Sequence, residues 1–276
     1  SESESGATLH TSLDIKAQTV VYNSLKKGVK RFGAAGGAAL VQDISTGEII
    51  SMATYPSFDS NLFVGGISEK DYKRVLKSGK NPLLNRSISA QVPPGSTFKT
   101  IVAAAALDAK AIDTSTIYVS RKDYTFSDGR PFPEFGGNAY GSLNVVSALM
   151  RSSNIFFCET IRKWDMDKLV PYLERFGIGS ITGIDLEGEG AGRLPSPKNK
   201  IELAKTTSPW LDPVWYPEGD SCNSVIGQGI TTVTPIQMVN WISAIANGGT
   251  LNTPHIGKYI EYDNGKIVNL TPTPIR

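Results

Sequence analysis

Pro93-Pro94-Gly95-Ser96-Thr97-Phe98-Lys99-Thr100 runs straight into Ile101-Val102-Ala103-Ala104-Ala105-Ala106-Leu107. The Pro-Pro-Gly segment favours a turn, and the alanine-rich run favours helix. Ser96 therefore falls at or near a helix start, with Lys99 one turn further on. Residues three apart share a helix face. A hydroxyl and an amine thus point the same way, near the positive end of the helix dipole. Ser-x-x-Lys is the arrangement of serine enzymes that open amide bonds through an acyl-enzyme. The same residues also suit an N-capping serine beside a solvated lysine. The apolar run weighs toward chemistry. A helix so apolar belongs inside, and a lysine on its first turn loses its water. Burial lowers a lysine pKa and can make the amine a base.

Working outward, the chain has 276 residues, enough for one large domain or two small ones. Hydrophobic residues at 40% and charged residues at 20% read as globular. A net charge of +2 and the lack of a basic stripe argue against a nucleic-acid partner. No apolar run approaches the length of a membrane span. Ser1-Glu2-Ser3-Glu4-Ser5-Gly6 reads as a flexible linker or a cloning scar, outside the fold. His10 and His255 stand far apart without ligand-spaced neighbours, so neither a metal site nor a Ser-His-Asp triad is expected, and no cofactor is implied. Cys158, in Ile155-Phe156-Phe157-Cys158, reads as a buried thiol. A bridge to Cys222 stays open, and two cysteines do not fix the redox compartment.

Helical periodicity runs from Ala17 to Val29, with Asp14 placed to cap it. Ala38–Asp43 and Ile49–Ala53 read as two strands joined at Ser45-Thr46-Gly47-Glu48. A polar helix is expected near Lys70–Leu76. Tyr118–Pro133 reads as loop or short strands with a turn at Asp128-Gly129. Leu143–Met150, Ile155–Arg162 and Asp167–Phe176 read as helices, the last ending at Gly177. Thr206–Asn223, with three prolines, reads as an irregular packed loop, with Trp210 and Trp215 as packing residues. Pro235–Asn247 is a strong helix with Thr234 as cap and Pro235 at its first position. Pro254–Arg276 reads as two strands joined at Asp263-Asn264-Gly265. A hairpin first, helices in the middle and strands last define an α+β chain whose terminal strands can share one sheet.

A second chemical element is Ser152-Ser153-Asn154. Residues i and i+2 of a tight turn can project into one cleft. Ser152 offers a hydroxyl that can relay a proton, and Asn154 an amide that can hold a peptide backbone. The same triplet is an ordinary capping signal before an apolar helix. Ser-x-x-Lys on a buried helix together with Ser-x-Asn at the start of a later one is more specific than either alone.

With these motifs the sequence resembles the transpeptidase domain of penicillin-binding proteins, of the monofunctional (class B) elongation type called penicillin-binding protein 2. The matching text includes Ser12-Leu13-Asp14-Ile15-Lys16, Asp43-Ile44-Ser45-Thr46-Gly47-Glu48, Pro56–Phe63, Leu84-Asn85-Arg86, Pro93–Lys99, Thr182-Gly183-Ile184-Asp185-Leu186, Gly227-Gln228-Gly229 and Thr234-Pro235-Ile236-Gln237. It covers nearly everything after residue 7. The resemblance implies the fold of penicillin-binding proteins and serine β-lactamases: an antiparallel sheet flanked by helices, plus an all-helical lobe. It implies Ser96 as nucleophile on a D-Ala-D-Ala stem peptide, Lys99 as its base, Ser152 as proton carrier to the leaving amine, and Asn154 as substrate-amide binder. It also implies peptidoglycan cross-linking in cell elongation and shape, acylation by β-lactam antibiotics, and a membrane glycosyltransferase partner. The place implied is the periplasmic face of the inner membrane, through an N-terminal anchor that the chain lacks.

One departure stands out. The family's third motif, Lys-[Ser/Thr]-Gly, lies on a strand after a helix like Pro235–Asn247, and none follows here. Lys77-Ser78-Gly79 precedes Ser96 in a polar turn and reads as coincidence, and Lys205-Thr206-Thr207 lacks the glycine. Residues 7–276 are thus expected to form a transpeptidase domain truncated at its C-terminus and inactive alone. One rival is a class D serine β-lactamase or β-lactam sensor, which usually has a hydrophobic residue where Asn154 stands. Another is a non-catalytic binding module of the same fold. Gly227-Gln228-Gly229 reads as a backbone constraint behind the site, and Asp185 and Glu187 as structural acids.

Overall fold

A computed structural model describes residues 6–76, 80–272 and 274–275. Lys77-Ser78-Gly79 lies outside the described residues. In chain order the strands are β1 (Thr8–Thr11), β2 (Gly37–Gln42), β3 (Ile49–Tyr55), β4 (Tyr118–Ser120), β5 (Asp123–Thr125), β6 (Pro131–Pro133), β7 (Gly141–Leu143), β8 (Gly257–Glu261) and β9 (Ile267–Asn269). The helices are α1 (Ile15–Arg31), α2 (Glu69–Leu76), α3 (Arg86–Ser89), α4 (Lys99–Asp108), α5 (Val145–Arg151), α6 (Asn154–Trp164), α7 (Met166–Arg175), α8 (Pro197–Thr206), α9 (Gly219–Val225) and α10 (Pro235–Ala246).

The elements fall into two compact units. The first spans 1–90, 181–190 and 234–276. In it β1 pairs antiparallel with β8, and β8 with β9, so the two ends of the chain do share a sheet. The β2–β3 hairpin is tied to the segments beside them through Ile49 N–H to His255 O and Asp14 N–H to Ile50 O. Asp14 caps α1 by accepting from the Lys16 and Ala17 N–H groups, which satisfies donors that a helix start leaves unpaired. Gln18 ties α1 to β3 by donating to Met52 O and accepting from Met52 N–H. Ile49, Ile88, Ile184 and Ile236 form the buried centre. Thr234 and Gln237 close a capping box at the start of α10. The Asp185 carboxylate accepts from the Ile256 and Gly257 N–H groups, which makes it a tie to β8.

The second unit spans 91–180 and 191–233. Its axis is α4, whose Ile101, Val102, Ala103, Ala105 and Ala106 are buried, with α5, α6 and α7 packed against it. Burial of such side chains is worth about 25 cal/mol per Å² of apolar surface, which is why an alanine-rich helix without a polar face belongs inside. This unit is helical but not all-helical: β4 pairs with β7, and β5 with β6, as two short ribbons. The Thr206–Asn223 segment also differs from an unbroken loop, since its end forms α9. A disulfide joins Cys158 on α6 to Cys222 on α9. Cys158 is therefore not a free thiol, and the buried, apolar surroundings that suggested one hold a bridge. Trp210, expected to pack, is 82% exposed.

Candidate active site

The nucleophile candidate sits on a tight turn. Gly95–Phe98 forms a single 3₁₀ turn, and α4 begins at Lys99. Ser96 is exposed, whereas Lys99 is 1% exposed, so the serine is open to solvent and the lysine is shut away from it. The capping alternative for Ser96 does not hold: the turn has no side-chain cap, and Lys99 is not solvated. Behind the turn, Gly95 N–H donates to Gly227 O at 2.9 Å. A Cβ on Gly227 would lie 2.2 Å from Gly95 O, so the Gly227-Gln228-Gly229 segment does brace the backbone beside Ser96.

The Ser152-Ser153-Asn154 turn serves both readings at once. Ser152 ends α5 in the left-handed region (φ 54°, ψ 39°). Single strained residues of this kind recur at functional sites. Ser153 takes the capping duty, its Oγ accepting from Phe156 N–H. That frees Ser152 and Asn154 to face Lys99. Lys99 Nζ donates to Ser152 O at 2.6 Å, Ser152 Oγ at 3.2 Å and Asn154 Oδ1 at 2.7 Å. The Ser152 hydroxyl in turn donates to Ser96 Oγ at 2.9 Å. All four residues expected from sequence meet, and the amine reaches Ser96 through the Ser152 hydroxyl.

Burial pushes the Lys99 amine down to about 8, against a smaller upward pull from the Glu134 charge. A lysine ordinarily titrates far above neutrality, and loss of water penalises its charged form. A sizeable fraction of Lys99 is therefore neutral near pH 7 to 8, as a base requires.

Glu134 has no counterpart in the sequence reading. It is 2% exposed. It follows β6 in a loop, and no local spacing ties it to either motif. The strand pairing of β5 and β6 and the start of α6 bring it behind the Ser153–Asn154 backbone. Beside Asn154 lies a cavity of about 320 Å³, lined in part by Arg130, Phe132, Tyr216, Asn223 and Gln228. Among the described residues no cluster of three or more His, Cys, Asp or Glu side chains could hold a metal.

An exposed serine on a helix start, with a buried low-pKa lysine and a Ser-x-Asn turn bonded to both, is an arrangement suited to serine acyl transfer, carried on an α+β scaffold. The model of the penicillin binding protein transpeptidase domain matches residues 37–276, and the chain belongs to that family. Within it, the chain is similar to the Escherichia coli peptidoglycan D,D-transpeptidase MrdA, 33% identical over 262 residues, which are 92% of this chain and 38% of that protein. The chain therefore spans well under half of that curated relative. Its fold is that of a Pseudomonas aeruginosa PBP2 solved in complex with WCK 5153 (TM-score 0.83, 32% identity, 98% of this chain and 57% of that one). It is also similar to a Helicobacter pylori PBP2 solved in complex with MreC (TM-score 0.76, 29% identity, 95% of this chain and 46% of that one).

Proposed function

We propose that this chain carries the acylating half of a peptidoglycan D,D-transpeptidase of the elongation type. The observation that carries the proposal is the hydrogen-bonded line Lys99–Ser152–Ser96, with Asn154 closing it. Ser96 Oγ attacks the carbonyl of the penultimate D-Ala. With Lys99 neutral the two hydroxyl hydrogens turn the other way, Ser96 donating to Ser152 and Ser152 to the Lys99 lone pair, and the Ser96 proton then moves to Ser152 Oγ as the Ser152 proton passes to Lys99. A C–O bond forms, the C–N bond to the terminal D-Ala breaks, and the departing amine takes a proton back from Lys99 through Ser152. The amine of a neighbouring stem peptide then attacks the acyl-Ser96 ester, the C–O bond breaks, and a proton of that amine passes through Ser152 and Lys99 to the Ser96 oxygen, giving a cross-linked amide and free Ser96. The Ser96 N–H, at the positive end of the turn and α4, is one oxyanion donor, and such a donor is worth about 3 to 4 kcal/mol. Asn154 and the adjoining cavity receive the peptide.

β-Lactams fit the same chemistry, as cyclic amides whose leaving group stays tethered. In the whole protein the site works at the periplasmic face of the inner membrane. The Cys158–Cys222 bridge supports that placement, since disulfides persist in oxidising compartments such as the periplasm. Among the described residues no helix is long and apolar enough to cross a membrane. Likeness to the PBP2 solved with MreC supports assembly with a partner protein, and the partner proposed for this chain is a membrane glycosyltransferase of the elongation machinery.

The test is covalent labelling by a fluorescent penicillin in the full-length protein. Ser96→Ala is expected to abolish it, and undiminished labelling of that variant would falsify the assignment. Rapid penicillin turnover in place of a lasting adduct would mark a β-lactamase instead.

A further inference from the structure

Glu134 is a buried carboxylate that the acylation steps above do not use. Its Oε2 accepts from the Ser120 and Ser153 hydroxyls, each at 2.6 Å. Its Oε1 accepts from Phe135 N–H at 2.7 Å and from Asn154 N–H by a short bond. The proton positions of both hydroxyls follow from their other partners. Ser120 Oγ accepts from Tyr140 N–H, and Ser153 Oγ accepts from Phe156 N–H. Each hydroxyl therefore spends its own hydrogen on Glu134. Four donors converge on its two oxygens, the number of hydrogen bonds a carboxylate can accept. Two of those four bonds lie on the Ser153–Asn154 turn itself.

We propose that Glu134 is a positioning residue for the acyl-transfer site, acting on Asn154 and Lys99 through the backbone it holds and the charge it carries. The proposal rests on the acyl-enzyme reading of Ser96. Asn154 N–H bonds Glu134 while Asn154 Oδ1 accepts from Lys99 and Asn154 Nδ2 donates to Pro133 O. Glu134 thus sets where Asn154 stands, and Asn154 sets where the amine stands. Its charge also faces Lys99 and opposes the loss of the lysine proton. The other charged groups on the packed helices are engaged elsewhere. Arg151 lies over the Tyr140 ring, Arg162 pairs with Glu159 and Glu218, Lys163 lies over Tyr118, and Arg175 pairs with Asp108. Asp167, Lys168 and Glu174 of α7 are exposed. A buried charge pair in a low-dielectric interior stays coupled, since water does not screen it.

Glu134→Gln and Glu134→Asp separate the two actions. In Gln the charge is gone, and the amide nitrogen fits opposite Ser120 and Ser153 only if both hydroxyls turn their own hydrogens away. Asp keeps the charge but draws the oxygens back from Asn154 N–H. Two readouts apply to the intact protein: the pH profile of the penicillin acylation rate, and the titration of Lys99 followed by NMR of ¹³C-labelled lysine, assigned with Lys99→Arg. Removing a negative neighbour lowers a lysine pKa. In Glu134→Gln the Lys99 titration and the rising limb of the acylation rate are therefore expected to move to lower pH, and the plateau rate to fall tenfold or more. In Glu134→Asp the limb is expected to stay while the plateau falls. A Glu134→Gln protein with wild-type limb and plateau overturns the proposal. If Glu134→Gln does not fold, an unchanged plateau in Glu134→Asp overturns it. Wild type that takes no penicillin at any pH sinks the acyl-enzyme reading instead, and the Lys99 titration in the two variants still decides the role of Glu134.

Discussion

Lys99 sets the pH behaviour of the site. Its amine, held near 8 by burial, is charged below that pH and neutral above it. A base must be neutral to accept a proton, so acylation of Ser96 is expected to climb about tenfold per pH unit up to about pH 8 and then level off. A stopped-flow penicillin assay from pH 6 to 10 checks this, and a climb continuing unbroken toward pH 10 would show a lysine in ordinary solvent. Asn154→Ala removes one acceptor of the Lys99 charge, and hydrogen bonds to charged groups are worth about 1.5 to 3 kcal/mol. That variant is expected to acylate about 10- to 100-fold more slowly in the same assay, while an alanine at 154 still offers its N–H to Glu134. Ser96, Lys99, Ser152 and Asn154 were legible in the sequence because their spacing carries their chemistry: three residues along a helix, or two across a turn. Glu134 was not, because its partners Ser120, Ser153 and Asn154 are brought to it only by tertiary structure.

At the scale of elements, the turn that presents Ser96 depends on a neighbouring loop. Gly227 adopts φ 71° and stands so close to Gly95 that a Cβ would overlap its carbonyl oxygen. Alanine there meets both a left-handed backbone cost of about 1 to 2 kcal/mol and an overpacking cost of about 1 to 3 kcal/mol. Gly227→Ala is expected to lower stability by about 2 to 5 kcal/mol in urea unfolding and to slow acylation of what remains folded. A wild-type midpoint with wild-type acylation would mean that the loop yields freely. The elements that sequence rules located are those with local punctuation: Asp14 before α1, Gly47 between β2 and β3, and the Thr234-Pro235-Ile236-Gln237 box of α10. Helix α9 escaped them. It begins at Gly219, lacks a side-chain cap and carries Gly, Ser and Asn, all poor helix formers. Its fixed points are tertiary: the disulfide to α6, and Asp220 next to its start, where the carboxylate accepts from the buried Lys200 ammonium at 2.7 Å.

For the whole molecule, the disulfide bears on folding. Both cysteines are fully buried, and the bridge closes a span of 64 residues between α6 and α9. A cross-link of that reach removes freedom chiefly from the unfolded chain, and its loss typically costs about 2 to 4 kcal/mol. Because α6 carries Asn154 at its first residue, loosening its partner α9 acts at the far side of the helix that holds the site. The paired variant Cys158→Ala/Cys222→Ala is expected to unfold at lower urea concentration by that free energy. Below its midpoint it should still acylate at Ser96, since neither sulfur touches the Lys99–Ser152–Ser96 line. A matching fall on reduction of wild type, reversed by reoxidation, would assign the loss to the bridge, whereas an unchanged urea midpoint in the paired variant would mean that packing alone holds α9 to α6.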